Sequence, residues 1–195
     1  MKKAHYILII CVCIIAILSG LAFAGVFSPG SDADIKENTD ENKTLVSVNG
    51  TPISEKEFEE YKATANFEKE EYSDDELLQR LIEQQLLFGE AKSRGLSVSD
   101  MEISEAIASV RDMLVDESNT EARSFIEAYI AEHGITEEEY WESIRPAYER
   151  SLAIAKLQNE LAQEVGTVEI SSEDFEAYYS DFTAELMKNA EIVYS

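Results

Sequence analysis

The chain has 195 residues, with 40 Asp and Glu against 16 Lys and Arg, for a net charge of −24. Such a balance argues against nucleic acid as a partner, because phosphate binding needs clustered cations that release counterions, and against docking on an anionic bilayer through a basic patch. With 45% apolar and 29% charged residues the chain is no disordered acidic tail; roughly 165 residues beyond an apolar leader suffice for one domain with its own core.

Lys2 and Lys3 precede an uncharged apolar run over residues 7–27. At about 1.5 Å per residue this run spans roughly the 30 Å hydrocarbon core of a bilayer. Basic residues before it and acidic ones after it hold the amino end in the cytoplasm and put the remainder outside. The length favours a retained single-pass anchor in the cell membrane (residues 1–27). The alternative is a secreted domain, since Ala22-Phe23-Ala24 has the small-x-small form of a signal peptidase site, with cleavage before Gly25. Cys11 and Cys13 both lie in this run and read as apolar filler. The exported part therefore has no disulfide and no thiolate metal site. Residues 28–43 are polar, contain Pro29 and Gly30 and have no apolar period, which predicts a flexible acidic linker.

The domain itself is expected over residues 44–195. Residues 44–48 alternate apolar and polar and run into Asn49-Gly50, a short strand ending in a tight turn. Residues 51–53 are extended, because Pro52 disfavours helix at Thr51. The rest reads as helix. Ser54 with Glu57, Ser73 with Glu76, Ser99 with Glu102 and Thr136 with Glu139 each form a capping-box pair; Ser171 with Asp174 is a weaker version. Gly95, Gly134 and Gly166 mark the stops. Apolar residues fall at helical spacing: Leu77, Leu78, Leu81, Ile82, Leu86 and Phe88 on what reads as the central helix, then Ile103, Ile107, Val110 and Leu114, then Phe125, Tyr129 and Ile130. A further pattern runs from Tyr140 through Trp141, Ile144, Tyr148 and Leu152 to Leu157. Pro146 interrupts it, so a kink or break is expected there. Residues 171–189 read as the last helix and 190–195 as a closing strand. The expected fold is mainly α: about six helices, one of them kinked near Pro146. A small two-stranded antiparallel sheet pairs 45–48 with 192–194 and ties the ends of the domain together.

In this order and spacing, the Asn49-Gly50 strand end, the Ser54-capped helix, the leucine-rich helix from Leu77 to Leu87, the stretch Glu90 to Asp100 and the segment Gly134-Ile135-Thr136 through Tyr140-Trp141 resemble the N-terminal domains of SurA and PrsA chaperones. The resemblance covers roughly residues 45–194. It implies a helical chaperone domain and, as partners, unfolded or partly folded exported polypeptides. Members of that family often carry a parvulin-type prolyl isomerase domain after a segment like the one from Ile170 to Tyr179. Too little chain follows Tyr179 to hold one, and 182–194 reads as the helix and strand that would come after it. The resemblance is therefore to the chaperone half alone, with no isomerase activity expected.

The residue inventory offers little to catalysis. His133 is the one histidine outside the leader, and its place at a helix C-terminus suits a cap. No phosphate loop, histidine pair or cysteine cluster occurs, so no metal and no cofactor is expected. Asp32-Ala33-Asp34 has the first acids of a calcium loop without its glycine or closing Glu. The runs of Glu read as solvated helix faces.

Aromatics are the richer resource, with 9 Tyr, 8 Phe and 1 Trp. The helices are expected to leave an apolar hollow for clients, lined by Phe58, Tyr61, Phe67, Met113, Tyr140, Trp141, Tyr148 and Tyr178. Aromatic side chains pair apolar area with a polar tip, and methionine adapts its shape. The surrounding negative charge would attract basic unfolded chains. The function expected is an ATP-independent folding helper on the export side of the membrane; the alternative is a tethered module for one specific envelope partner. Oligomeric state is not readable from the sequence.

Overall fold

The computed structural model describes residues 43–67, 72–166, 170 and 173–195. The apolar leader and the linker up to residue 42 lie outside them, as does Ser171 of the weaker cap. Among the described residues there are three strands and seven helices: β1 (Thr44–Val48), β2 (Thr51–Ser54), α1 (Glu55–Phe67), α2 (Asp74–Ser93), α3 (Asp100–Leu114), α4 (Thr120–His133), α5 (Glu137–Ser143), α6 (Arg145–Glu164), α7 (Glu173–Asn189) and β3 (Ile192–Tyr194). The fold is mainly α. Among the described residues no helix is long and apolar enough to cross a membrane.

The sheet joins the two ends of the domain. Its order is β2-β1-β3, antiparallel throughout. The expected pairing of β1 with the last strand is present, Val46 opposite Tyr194 and Val48 opposite Ile192. β2 adds a third strand, with Ile53 opposite Val46 and Thr51 opposite Val48. Pro52 does not prevent this, because β2 is an edge strand and its missing N–H costs no ladder bond on the open side. The turn is a two-residue one in which Asn49 (φ 49°) and Gly50 (φ 80°) are both left-handed, the geometry that matches strand twist. Asn49 also clamps the far end of the chain. Its N–H donates to the Glu191 carbonyl (2.8 Å) and its Oδ1 accepts from the Glu191 N–H (2.9 Å). The Ser195 N–H donates to the Leu45 carbonyl at 3.0 Å.

Helix starts follow the caps. Ser73, Ser99 and Thr136 each accept from the backbone N–H three residues on, while Glu76, Glu102 and Glu139 reach back to the cap. α4 ends on Gly134 at φ 64°, a conformation in which a side chain would be strained. The break before Pro146 falls at Ile144, which ends α5 and starts α6. Proline sits in the first turn of α6, where its missing N–H has no intrahelical acceptor to serve.

Three apolar clusters make up the core. The first joins β1, β2, α1 and the front of α2 through Val46, Val48, Ile53, Leu77, Leu81 and Ile82. The second joins the back of α2 to α6 and α7 through Leu87, Ala91, Leu157, Leu161 and Phe175. The third belongs to α3, α4, α5 and the start of α6, through Ile103, Ile107, Val110, Ile126, Trp141 and Tyr148. α2 packs on α1, α6, α7 and β1, as its leucine stripe predicts.

One polar pair lies inside. At the start of α1 the Ser54 hydroxyl accepts from the Glu57 N–H at 3.1 Å. The Glu57 carboxylate is buried, however, and takes Arg150 Nη2 of α6 at 3.4 Å. Burial pushes Glu57 above the usual carboxylate value, against the opposing pull of Arg150. Glu102 behaves in the opposite way: Lys156 and the Ser99 cap hold it down at about 2.

Two outcomes are expected. Asn49→Ala loses the Glu191 bond and strains the turn, lowering stability by about 1–2 kcal/mol in urea unfolding, whereas Asn49→Gly loses about half as much. A carboxylate with a raised native value, such as Glu57, adds stability as pH falls through that value toward the ordinary 4.5. A depressed one, such as Glu102, contributes above 4.5 and loses its contribution as pH falls toward 2. Urea midpoints should therefore rise as pH falls through the raised Glu57 value and then drop as pH falls from 4.5 toward 2. Arg150→Met should cost about 3–5 kcal/mol at pH 8, where Glu57 is left charged and unpaired, and clearly less at pH 5.

Candidate functional site

The third cluster is incompletely covered, and the reason begins at the end of α3. Asp116 turns the chain extended after Val115 and accepts at Oδ1 from the Ser118 N–H (2.8 Å) and hydroxyl (2.7 Å), an Asx-type turn that stops the helix. The short 3-10 turn Glu117–Asn119 follows. The last carbonyls of α3 then find side-chain donors: Asn119 Nδ2 donates to Met113 O (2.8 Å) and Arg123 Nη1 of α4 to Leu114 O (3.3 Å). These bonds fix the end of α3 against the start of α4 and leave a groove of about 470 Å³ between α3, α4 and α5.

The apolar wall of the groove is Leu114, Val115, Ile126, Ile130 and Trp141; its polar rim is Arg111, Asp112, Arg123, Glu127 and Glu137. Among the large apolar side chains that stay exposed, Val115 (76%) is the one on this groove. The indole is held in place from one side. Trp141 Nε1 donates to Glu137 Oε1 at 3.0 Å, and Arg111 Nη2 donates to the same oxygen at 3.1 Å. The Arg111 guanidinium stands 5.6 Å from the centre of the indole ring and also pairs with Glu138 at 3.6 Å. Behind the indole, Tyr140 packs edge-on to Trp141 and to Tyr129, which stacks on His133 at 4.0 Å. The His133 Nδ1 lies 2.9 Å from the Tyr129 carbonyl, so the ring sits in the last turn of α4. Burial, followed by the nearby Tyr129, pushes the Tyr140 phenol well above its usual value. Among the described residues no cluster of His, Cys, Asp and Glu is arranged to hold a metal ion.

The aromatics expected to line a hollow are placed otherwise. Phe58 (7% exposed) and Tyr61 are buried in the cluster under the sheet. Tyr140, Trp141 and Tyr148 (1% exposed) are buried in the α3–α6 cluster, with Met113 half-buried against it. Tyr178 is half-buried on α7 and its hydroxyl donates to Glu164 Oε2 at 2.9 Å. The Phe67 side chain lies outside what is described. Of the seven whose side chains are described, Trp141 is the one that lines the groove. Large rings gain most by burial, at about 25 cal/mol per Å² of apolar area, so a compact helical domain draws them inside.

Branched aliphatic residues make most of the surface instead. Sequence spacing marks Ile130 and Leu114 as core, and says nothing of Val115, which falls past the end of the stripe. Glu137 and Trp141, four apart on α5, are a legible pair. Arg111 comes from a different helix and is not.

Two other grooves lie on α2 and α7. One of about 500 Å³ is bordered by Leu87, Tyr179, Thr183 and Met187, the other by Val48, Gln85, Gly89 and Leu186. Both run beside elements already packed together, whereas the α3–α5 groove opens onto the cluster that holds the indole.

A family model described as a SurA-like N-terminal domain matches residues 1–158, a span that takes in all three helices of the groove. No curated protein and no solved structure matches the chain.

The Glu137 hub has a measurable consequence. Glu137→Ala releases both the indole N–H and Arg111. It should cost about 1–2 kcal/mol and raise the acrylamide quenching of Trp141 fluorescence, which is unambiguous because the chain has one tryptophan.

Proposed function

The chain belongs to the family of SurA-like N-terminal domains, and from that membership together with the α3–α5 groove we propose that it is an ATP-independent folding helper. It holds short apolar segments of unfolded or partly folded exported polypeptides and releases them without chemistry. Membership in a SurA-like family supports a chaperone-type role, and on this reading the domain acts by binding alone. The observation that carries the proposal is the groove: an apolar wall of Leu114, Val115, Ile126, Ile130 and Trp141, rimmed by charged groups. That combination accepts many apolar side chains while the rim stays hydrated.

On this reading the domain works outside the cytoplasmic membrane, tethered by residues 7–27. The charge asymmetry around that run supports the tether. The chain should stay in the membrane fraction after a carbonate wash at full mass. A washed-out chain beginning at Gly25 would replace the tether with cleavage after Ala24.

Activity is tested with the full-length chain and a chemically denatured, aggregating client followed by light scattering. Suppression at a few-fold molar excess is expected. Val115→Asn, at a solvent-facing position, should weaken suppression while leaving the unfolding midpoint unchanged. No suppression at any excess would remove the proposal, and capture of a single folded envelope protein in fixed ratio would replace it with a dedicated interaction module.

A further inference from the structure

The groove carries five charged side chains, and they are not equivalent. Arg111 is committed to Glu137 and Glu138, and Arg123 to the Leu114 carbonyl. Two carboxylates remain, Asp112 on α3 and Glu127 on α4, one from each wall. Both are exposed, and neither has an ion pair among the described residues. They flank an apolar floor of Ile126, Ile130 and Trp141. The whole chain carries a net charge of −24.

A segment entering this groove therefore meets apolar contact at its centre and one unpaired carboxylate on each wall. The Arg123 cation, bonded among the described residues only to the neutral Leu114 carbonyl, lies beside Glu127 on α4, and the rim as a whole has three acids against two bases. An incoming Lys or Arg finds a free carboxylate, and its aliphatic stem can lie along the wall. An incoming Asp or Glu meets like charge, an arrangement that suppresses wrong partners.

We infer that the groove selects among clients: it takes an apolar residue or two flanked by Lys or Arg, and Asp112 and Glu127 are the residues that make the choice. This rests on the groove being the client site, and the test separates the two ideas.

Three tryptophan-free peptides share one Leu-Phe centre and carry Lys, Ser or Glu flanks. Each is titrated into the full-length chain while Trp141 fluorescence is read, and suppression of client aggregation is measured in parallel. At low salt the Lys-flanked peptide should bind about tenfold tighter than the Glu-flanked one. The gap should shrink severalfold near 0.5 M salt, where screening acts within a few Å. In Asp112→Asn/Glu127→Gln the gap should close, while the Ser-flanked peptide binds as it does to the unaltered chain.

Equal affinity for the Lys- and Glu-flanked peptides would overturn the inference with the groove still a client site. A preference that persists in the double variant would overturn it too, by assigning selectivity to the chain's overall charge. Binding of none of the peptides, with aggregation still suppressed, would move the client site elsewhere and end the inference while sparing the folding-helper proposal.

Discussion

β1 is hydrogen-bonded on one side to the strand that follows it and on the other to β3 at the opposite end of the domain. Everything else is arranged around that fact. A domain without cysteines has no disulfide to hold its ends, so backbone pairing and apolar burial do so. The Asn49 clamp on Glu191 makes the tie specific in register: it fixes which residue of β3 meets which residue of β1. With the ends joined, α1, α2 and α7 cover the sheet, and α2 and α7 with α6 complete a second core.

The consequence for function lies in what this leaves uncovered. α3, α4 and α5 form a cluster of their own that leans on the start of α6. They contribute nothing to closing the sheet, so their outer surface is not drawn into the main core. The Asx turn at Asp116 stops α3 early, and the side chains of Asn119 and Arg123 tie off its last carbonyls. The outcome is a fixed groove whose shape is set by hydrogen bonds at its end rather than by side chains filling it. The Glu137–Arg111–Trp141 arrangement holds the indole in place. A fixed aromatic ring beside branched aliphatic residues offers affinity without demanding one partner shape.

Much of the fold is written locally. The caps at Ser73, Ser99 and Thr136, the glycine stops and Pro146 act within a turn or two, and each falls where its chemistry demands. Pairing of the two ends is also legible, because a lone short strand at each end needs a partner. β2 is less so: Pro52 argues against a strand, and only its place at the edge of the sheet makes it tolerable. The buried Glu57–Arg150 pair joins residues far apart in sequence, and Glu57 reads locally as no more than the third residue of a capped helix. The site shows the same limit. Helical spacing says which faces of α5 and α6 turn inward but not how deep, so Tyr140, Trp141 and Tyr148 are recognisable as apolar surface without revealing that they are core. Val115 becomes part of a site only because α3 ends one residue before it and α4 returns alongside.

The central claim is that unfolded polypeptide lies in the α3–α5 groove and not elsewhere on the domain. A photoreactive side chain placed at position 115, where Val115 is exposed beside the groove, tests it directly when compared with the same group at two other exposed positions, Met101 and Val193. Irradiation of the full-length chain with an unfolded client should give cross-linked adduct mainly from position 115. Equal yields from all three positions, or a larger yield from 101 or 193, would contradict the account.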